Sequence, residues 1–318
     1  MPSKEKLNET IERLKNADLK GISLLKLDNI IRSKIGFIPY TLAHMKKGHP
    51  IYRARLNRNC EDGRPISFNS ENEISYRSDL YNIKDYGRAN ILGQSMFYGS
   101  FDSDTIETTR ITNFFEIDEL RSLENTSEEL YLTIGKWRIK EDFVVLEIVF
   151  NQESIEKNPD VKRSFENQLN NIRKYFPEKE EEIKLILEFY SDQFAKKVDR
   201  KRPDDYKISA HYTFDALISK SGLLSKFDGS DVEDIWGVVY PSVQTDFQGN
   251  NIALLPSAVE RFLELEVVAM FGINTRNKHT IMDNTAIVTD FGPYNSRFQW
   301  EHQERMTEDE MNEIFLKK

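Results

Sequence analysis

The sequence predicts an α+β fold, because strand signals come first, amphipathic helices follow, and strand signals then return. Three observations carry this reading. Segments 130-LYLTIGKWRI-139 and 142-DFVVLEIVF-150 are rich in β-branched and aromatic residues and flank a short Lys-Glu-Asp turn, which predicts a β-hairpin. Residues 151 to about 222 are charged and amphipathic, and read as a helical insertion. The strand pattern resumes at 235-IWGVVYPSV-243, 251-NIALL-255, 265-LEVVAMFGI-273 and 279-HTIMDNTAIVTDF-291.

Taken in order, Leu7, Ile11 and Leu14 are spaced at helical intervals, and 22-ISLLKLDNIIRSKI-35 predicts a second short helix. Residues 1–50 therefore read as a helical leader packing on a main body at 51–318. Between Arg53 and Tyr86 the chain is polar, with turn signals at Glu61-Asp62-Gly63 and Arg64-Pro65. A helix is predicted near 111-ITNFFEIDELRSL-123. In the insertion, Pro177 divides 160-DVKRSFENQLNNIRKYF-176 from 179-KEEEIKLILEFYSDQFAKKV-198, and 205-DYKISAHYTFDALISKSG-222 ends at a glycine cap. Their charge runs are solvated faces.

Composition narrows the function. The 318 residues include 20 Phe, 13 Tyr and 3 Trp, enough to build a real core. No apolar run reaches the roughly 20 residues that span a bilayer, and the charged N-terminus lacks a signal-peptide core, so a soluble cytoplasmic protein is expected. Cys60 is the sole cysteine, which rules out an internal disulfide and multi-thiolate zinc sites. The five histidines show no metal-binding spacing, and no metal is expected. A net charge of −9 argues against general nucleic-acid binding, while leaving room for an anionic small molecule held by a local pair of arginines. Neither common phosphate-binding glycine loop is present.

The chemistry-bearing stretch is 86-YGRANILGQSMFYGS-100. Gly87 is read as a corner permitting positive φ, Arg88 leaves that corner, and Gly93 marks a second turn. The short strand 95-SMFYG-99 would then set Tyr98 beside Arg88, facing one cleft. An arginine fork matches a pyrophosphate bidentately, and a tyrosine ring offers a stacking face. The read-alone alternative is a surface ion pair for Arg88 and a core-edge aromatic for Tyr98. Upstream, 52-YRARLNR-58 places Arg53 and Arg55 on one side of an extended segment. Downstream, Thr112 is a helix N-cap candidate with Glu116 on the first turn. Late in the chain, 240-YPSVQTDFQGNNIALLP-256 joins two strands through a polar turn offering Ser242, Asn250 and Asn251.

Together these pieces resemble the RES-domain family, which is related in fold to the ADP-ribosyltransferases. The matching stretches are Tyr52-Arg53, 87-GRANILGQSMFYGS-100 and 237-GVVYPSVQTDFQGNNIALLP-256, so the resemblance spans roughly residues 50–260. It implies an ADP-ribosyltransferase-like mixed β core with a helical leader and a helical insertion. It also implies a NAD-degrading enzyme, as in the RES toxins of toxin–antitoxin pairs, with NAD as substrate, no cofactor and a cognate antitoxin protein as partner. Mono-ADP-ribosyl transfer to a protein and a catalytically silent binding module are the alternatives. Carried over, Arg53 and Arg88 match the two pocket arginines, Tyr98 the pocket tyrosine and Ser242 the serine. The glutamate departs from the pattern, since position 109 is threonine. Glu116 fits the Thr-x-x-x-Glu spacing if seven residues around 101-FDSDTIE-107 are inserted, and Glu107 is the other candidate.

Overall fold

The computed structural model describes residues 2–57, 60–61, 64–65, 67–101, 112, 116–117, 130–199, 201–219, 234–276, 279–292 and 297–302. In chain order the strands are β1 (Leu42–Met45), β2 (Pro50–Asn57), β3 (Cys60–Glu61), β4 (Arg64–Pro65), β5 (Phe97–Phe101) and β6 (Leu130–Ile139). They continue as β7 (Phe143–Glu147), β8 (Ile235–Pro241), β9 (Asn250–Leu254), β10 (Leu263–Arg276), β11 (His279–Val288) and β12 (Glu301–His302). Among the described residues, ten strands form one sheet in the order β1-β7-β8-β9-β5-β2-β6-β10-β11-β12, with β3 and β4 in a separate ribbon. Every neighbouring pair in the large sheet is antiparallel except β7 and β8. The fold is mixed α+β.

The expected hairpin between β6 and β7 does not form. β6 pairs with β2 and β10, while β7 lies five positions away between β1 and β8. The polar turn explains the divergence. Lys140 N donates to Phe262 O at 2.7 Å, and Asp142 accepts from Lys46 Nζ at 2.7 Å and Lys47 N at 2.8 Å. These bonds lead the chain across to β1 instead of back along β6.

Eight helices are described: α1 (Lys4–Lys15), α2 (Leu24–Lys34), α3 (Glu71–Ile74), α4 (Gln152–Lys157), α5 (Pro159–Tyr175), α6 (Glu180–Phe194), α7 (Lys207–Ser219) and α8 (Pro256–Phe262). Helices α4 to α7 lie where the sequence predicts helix, between β7 and β8. Parallel neighbours need a long crossover connection, and α4–α7 lie within the one that joins β7 to β8. Asn158 starts α5, its side chain accepting from Asp160 N and Val161 N. Gly222, the predicted cap of α7, lies outside the described residues.

The helices of residues 1–50 pack on the body. Leu7, Ile11 and Leu14 of α1 and Leu27 and Ile31 of α2 are buried in one cluster with Phe189, Tyr190 and Tyr212. Asp215 on α7 accepts from both Arg32 and Tyr40, while His211 Nε2 lies 2.9 Å from Asp28 Oδ1. The leader also contains a strand, since β1 pairs with β7.

Side chains alternate across the sheet. Leu146, Val238, Tyr240 and Ala253 face the cluster covered by α1, α2, α6 and α7. Val145, Val239, Ile252, Phe97 and Trp137 face the opposite cluster, where α8 packs. Among the described residues no helix is long and apolar enough to cross a membrane.

Candidate functional site

The site begins in the β8–β9 turn. Ser242 N donates to Gly249 O at 2.7 Å and Phe247 N to Ser242 O at 2.8 Å, while Asp246 and Phe247 adopt left-handed φ of 54° and 67°. Gly249 N is held by Thr245 Oγ1 at 3.0 Å. This closed loop presents Ser242, which is fully buried, beside the first residues of β9.

Glu116 comes to this turn from far away in sequence. Its Oε1 accepts from Ser242 Oγ at 2.5 Å and from Asn251 Nδ2 at 2.7 Å. A carboxylate fixed by two donors has a defined direction, and bonds to a charged acceptor are worth about twice neutral ones. Thr112, buried at 1% exposure, anchors the approach. It is itself helical rather than an N-cap, as is Glu116, while Ile117 is not helical. The rest of that run lies outside the described residues, as does Glu107. Gly249 is what lets Thr112 dock, because a Cβ there would lie 2.4 Å from Thr112 Oγ1.

The floor is a row of side chains on one sheet face. Cross-strand register aligns Tyr240 with Asn251, Asn251 with Ser100, and Ser100 with Tyr52. All four are buried. Asn251 Oδ1 has no hydrogen-bond partner among the described residues, although it is buried. Such an acceptor calls for a donor.

Arg88 and Tyr98 are brought together, as the sequence predicts, but their polar atoms are already engaged. The Arg88 guanidinium donates to Phe194 O, to Lys196 O at 3.1 Å and to Tyr206 Oη at 3.4 Å, and lies 5.0 Å from the Tyr206 ring. It thus closes the C-terminal end of α6 onto the loop before β5. The Tyr98 hydroxyl donates to Asn90 Oδ1 at 2.7 Å and accepts from Ala89 N at 3.1 Å. Gly87 is needed here for space and not for a positive φ. A Cβ there would fall 2.1 Å from Asn90 Oδ1 and 2.8 Å from Tyr98 Oη, whereas Gly93 does have φ +70°.

Burial pushes the Tyr98 hydroxyl well up, against the opposing pull of Ala89 N–H and Arg88. Tyr240 is raised by burial, by Tyr98 and by Glu116, and lowered by Arg88, so it feels both charged groups of the site. Both phenols stay protonated at neutral pH, and that of Tyr98 donates to Asn90.

Two predicted residues fall elsewhere. Arg53 projects to the opposite face, its guanidinium 5.2 Å from the Phe97 ring and donating to Ile74 O at 3.2 Å and Tyr98 O at 2.5 Å. Burial and the neighbouring Arg55 pull it down to about 9. It remains a cation at neutral pH, but the structure does not place it with Glu116. Its neighbour Tyr52 faces the site row instead, because alternation sends consecutive residues to opposite sides. Asn250 likewise points away from Asn251, and its Oδ1 accepts from Asn158 Nδ2 at 3.2 Å.

Sequence reasoning missed Tyr206, which stacks on Arg88, and Tyr240 in the floor. Tyr206 lies in a polar Pro-Asp-Asp-Tyr run with no periodicity to flag it. Tyr240 stood within the quoted Tyr-Pro-Ser motif but reads there as strand core. In comparisons with known proteins, no family model and no curated protein matches the chain.

Proposed function

We propose that this protein cleaves the bond between nicotinamide and ribose in NAD. The observation that carries the reading is the fixed carboxylate, with Glu116 Oε1 accepting from Ser242 Oγ at 2.5 Å and Asn251 Nδ2 at 2.7 Å. The resemblance named these residue types, and they converge from positions more than a hundred residues apart. On this reading the mixed sheet is an ADP-ribosyltransferase-like, RES-type core, and the protein is a NAD-degrading toxin with an antitoxin partner.

As the C–N bond breaks, positive charge develops on the ribose ring carbon and oxygen, and nicotinamide departs neutral. The Glu116 carboxylate stabilises that charge and orients the water that attacks the ribose carbon. Asn251 Oδ1 supplies an acceptor for a ribose hydroxyl or for the carboxamide N–H. Tyr98 and Tyr206 bring aromatic rings near Arg88, whose guanidinium, held by the carbonyls of Phe194 and Lys196, keeps this wall of the site in place. Arg53 takes no part, since it lies across the sheet.

Incubating the purified full chain with NAD and measuring free nicotinamide is the direct test. Release by wild type and its loss in Glu116→Gln support the reading. No release from folded wild-type protein overturns it. Whether ADP-ribose appears free or attached to protein tells hydrolysis from transfer.

A further inference from the structure

Two polar groups beside Glu116 hold no hydrogen bond to any described residue. The first is Asn251 Oδ1. Asn251 Nδ2 donates to the Glu116 carboxylate, which can only accept, so the direction of the amide is fixed and its oxygen is turned away from Glu116. That oxygen is buried and lacks a partner among the described residues. The second is the hydroxyl of Tyr240, the cross-strand neighbour of Asn251 in register. Tyr98, Glu116 and Arg88 lie within its electrostatic reach, but among the described residues none hydrogen-bonds it. Burial keeps the phenol protonated, so it offers an O–H.

Directly paired residues stand on one face with Cβ atoms about 5 Å apart, so an acceptor and a donor lie side by side. A primary amide complements them. Its N–H donates to Asn251 Oδ1 while its C=O accepts from Tyr240 Oη. A carboxylate does not, because it carries acceptors alone and a negative charge toward Asn251 Oδ1 and Glu116. The ribose hydroxyls have a separate acceptor, since both bonds to Glu116 go to Oε1 and leave Oε2 for the sugar.

We propose that Tyr240 and Asn251 recognise the carboxamide of nicotinamide and make the site selective for the amide over the corresponding acid. The proposal rests on the NAD reading for what the amide is attached to, and its test reads binding apart from turnover.

The full chain is titrated with nicotinamide, nicotinate and methyl nicotinate, with calorimetry for affinity and NMR of the asparagine side-chain amides for location. The Asn251 signal is identified by its loss in Asn251→Ala. Methyl nicotinate is neutral but has no N–H, so it separates the need for a donor from repulsion by Glu116. Nicotinamide is expected to shift the Asn251 signal and to bind roughly tenfold or more tightly than either analogue. NAD should be preferred to the dinucleotide that carries nicotinate by roughly a hundredfold in kcat/KM. Asn251→Ala should lose most of both preferences. Tyr240→Phe, which keeps the ring against Phe194, should bind nicotinamide several-fold more weakly. Thermal melting follows folding, and if Asn251→Ala does not fold, the wild-type ranking and Tyr240→Phe decide. Equal affinity for the three compounds, an unmoved Asn251 signal, or a preference retained in folded Asn251→Ala overturns the pair, whether or not NAD is cleaved. Selective binding of nicotinamide without its release from NAD supports the pair and overturns the cleavage.

Discussion

Asn250 and Asn251 are consecutive residues of β9 whose side chains serve opposite faces of the sheet. Asn251 Nδ2 donates to Glu116 at 2.7 Å, whereas Asn250 Oδ1 accepts from Asn158 Nδ2 at 3.2 Å. One strand thus separates the candidate catalytic carboxylate from the Asn158 cap of α5, and substitutions at the two positions should have separable effects.

At the first position the prediction is kinetic. Glu116→Gln is expected to lower nicotinamide release from NAD by on the order of a hundredfold or more, as loss of a transition-state charge contact does elsewhere. Asn251→Ala, which removes one donor to that carboxylate, should lower it by roughly tenfold. Rates measured beside melting curves check both, and a Glu116→Gln protein as active as wild type removes the carboxylate from the mechanism.

Gly249→Ala tests how the acid is delivered. Its Cβ would press on Thr112 at 2.4 Å from Oγ1 and 2.9 Å from Cγ2, displacing the segment that carries Glu116. Activity should fall with little change in melting temperature. Adding Thr112→Ala removes both clashing atoms and should restore most of it. A double variant no better than Gly249→Ala refutes this coupling.

Arg88→Ala should be a stability variant as much as a functional one. The guanidinium is buried and satisfies carbonyls of Phe194 and Lys196, so its loss is expected to cost about 1–3 kcal/mol. Denaturant unfolding measures this. Arg88→Lys should recover little, because an ammonium cannot span two carbonyls and a phenol in one plane.

The leader should be indispensable. Asp215 is buried and accepts from both Arg32 and Tyr40, tying α2 and the segment after it to α7. Asp215→Ala leaves the buried Tyr40 phenol unmatched, while the exposed Arg32 keeps its bonds to Asp28, and a loss of about 1–3 kcal/mol follows. Limited proteolysis should then cut first within residues 1–41. Unchanged protection would show that apolar packing alone holds the leader.

Glu147 sets a pH dependence whose sign follows from its raised pKa. The folded state holds this proton more tightly than the unfolded chain, so stability from this group is full below the ordinary carboxylate pKa. It declines as pH rises from there through the folded value. Glu147→Gln removes the titration, and its stability relative to wild type should therefore rise over that interval. A difference independent of pH contradicts the assignment.

Much was legible in the sequence because it is local. Period and composition marked the helices of the crossover and the strands from β8 to β11, since amphipathic faces and β-branched runs are properties of neighbouring residues. The residue types at Glu116, Ser242 and Asn251 were also visible, as was the closeness of Arg88 to Tyr98 across one turn. Strand partnership was not. The β6–β7 turn looked like a hairpin until Asp142 and Lys140 found distant partners that carry β7 to β1. Facing was decided the same way. Whether Tyr52 or Arg53 looks toward Glu116 depends on which surface of the sheet the site occupies, and that is set by cross-strand register and by the helices that cover each face. Local chemistry is written residue by residue, but a site assembled from positions 116, 242 and 251 exists only once burial and long-range pairing have fixed which surfaces meet.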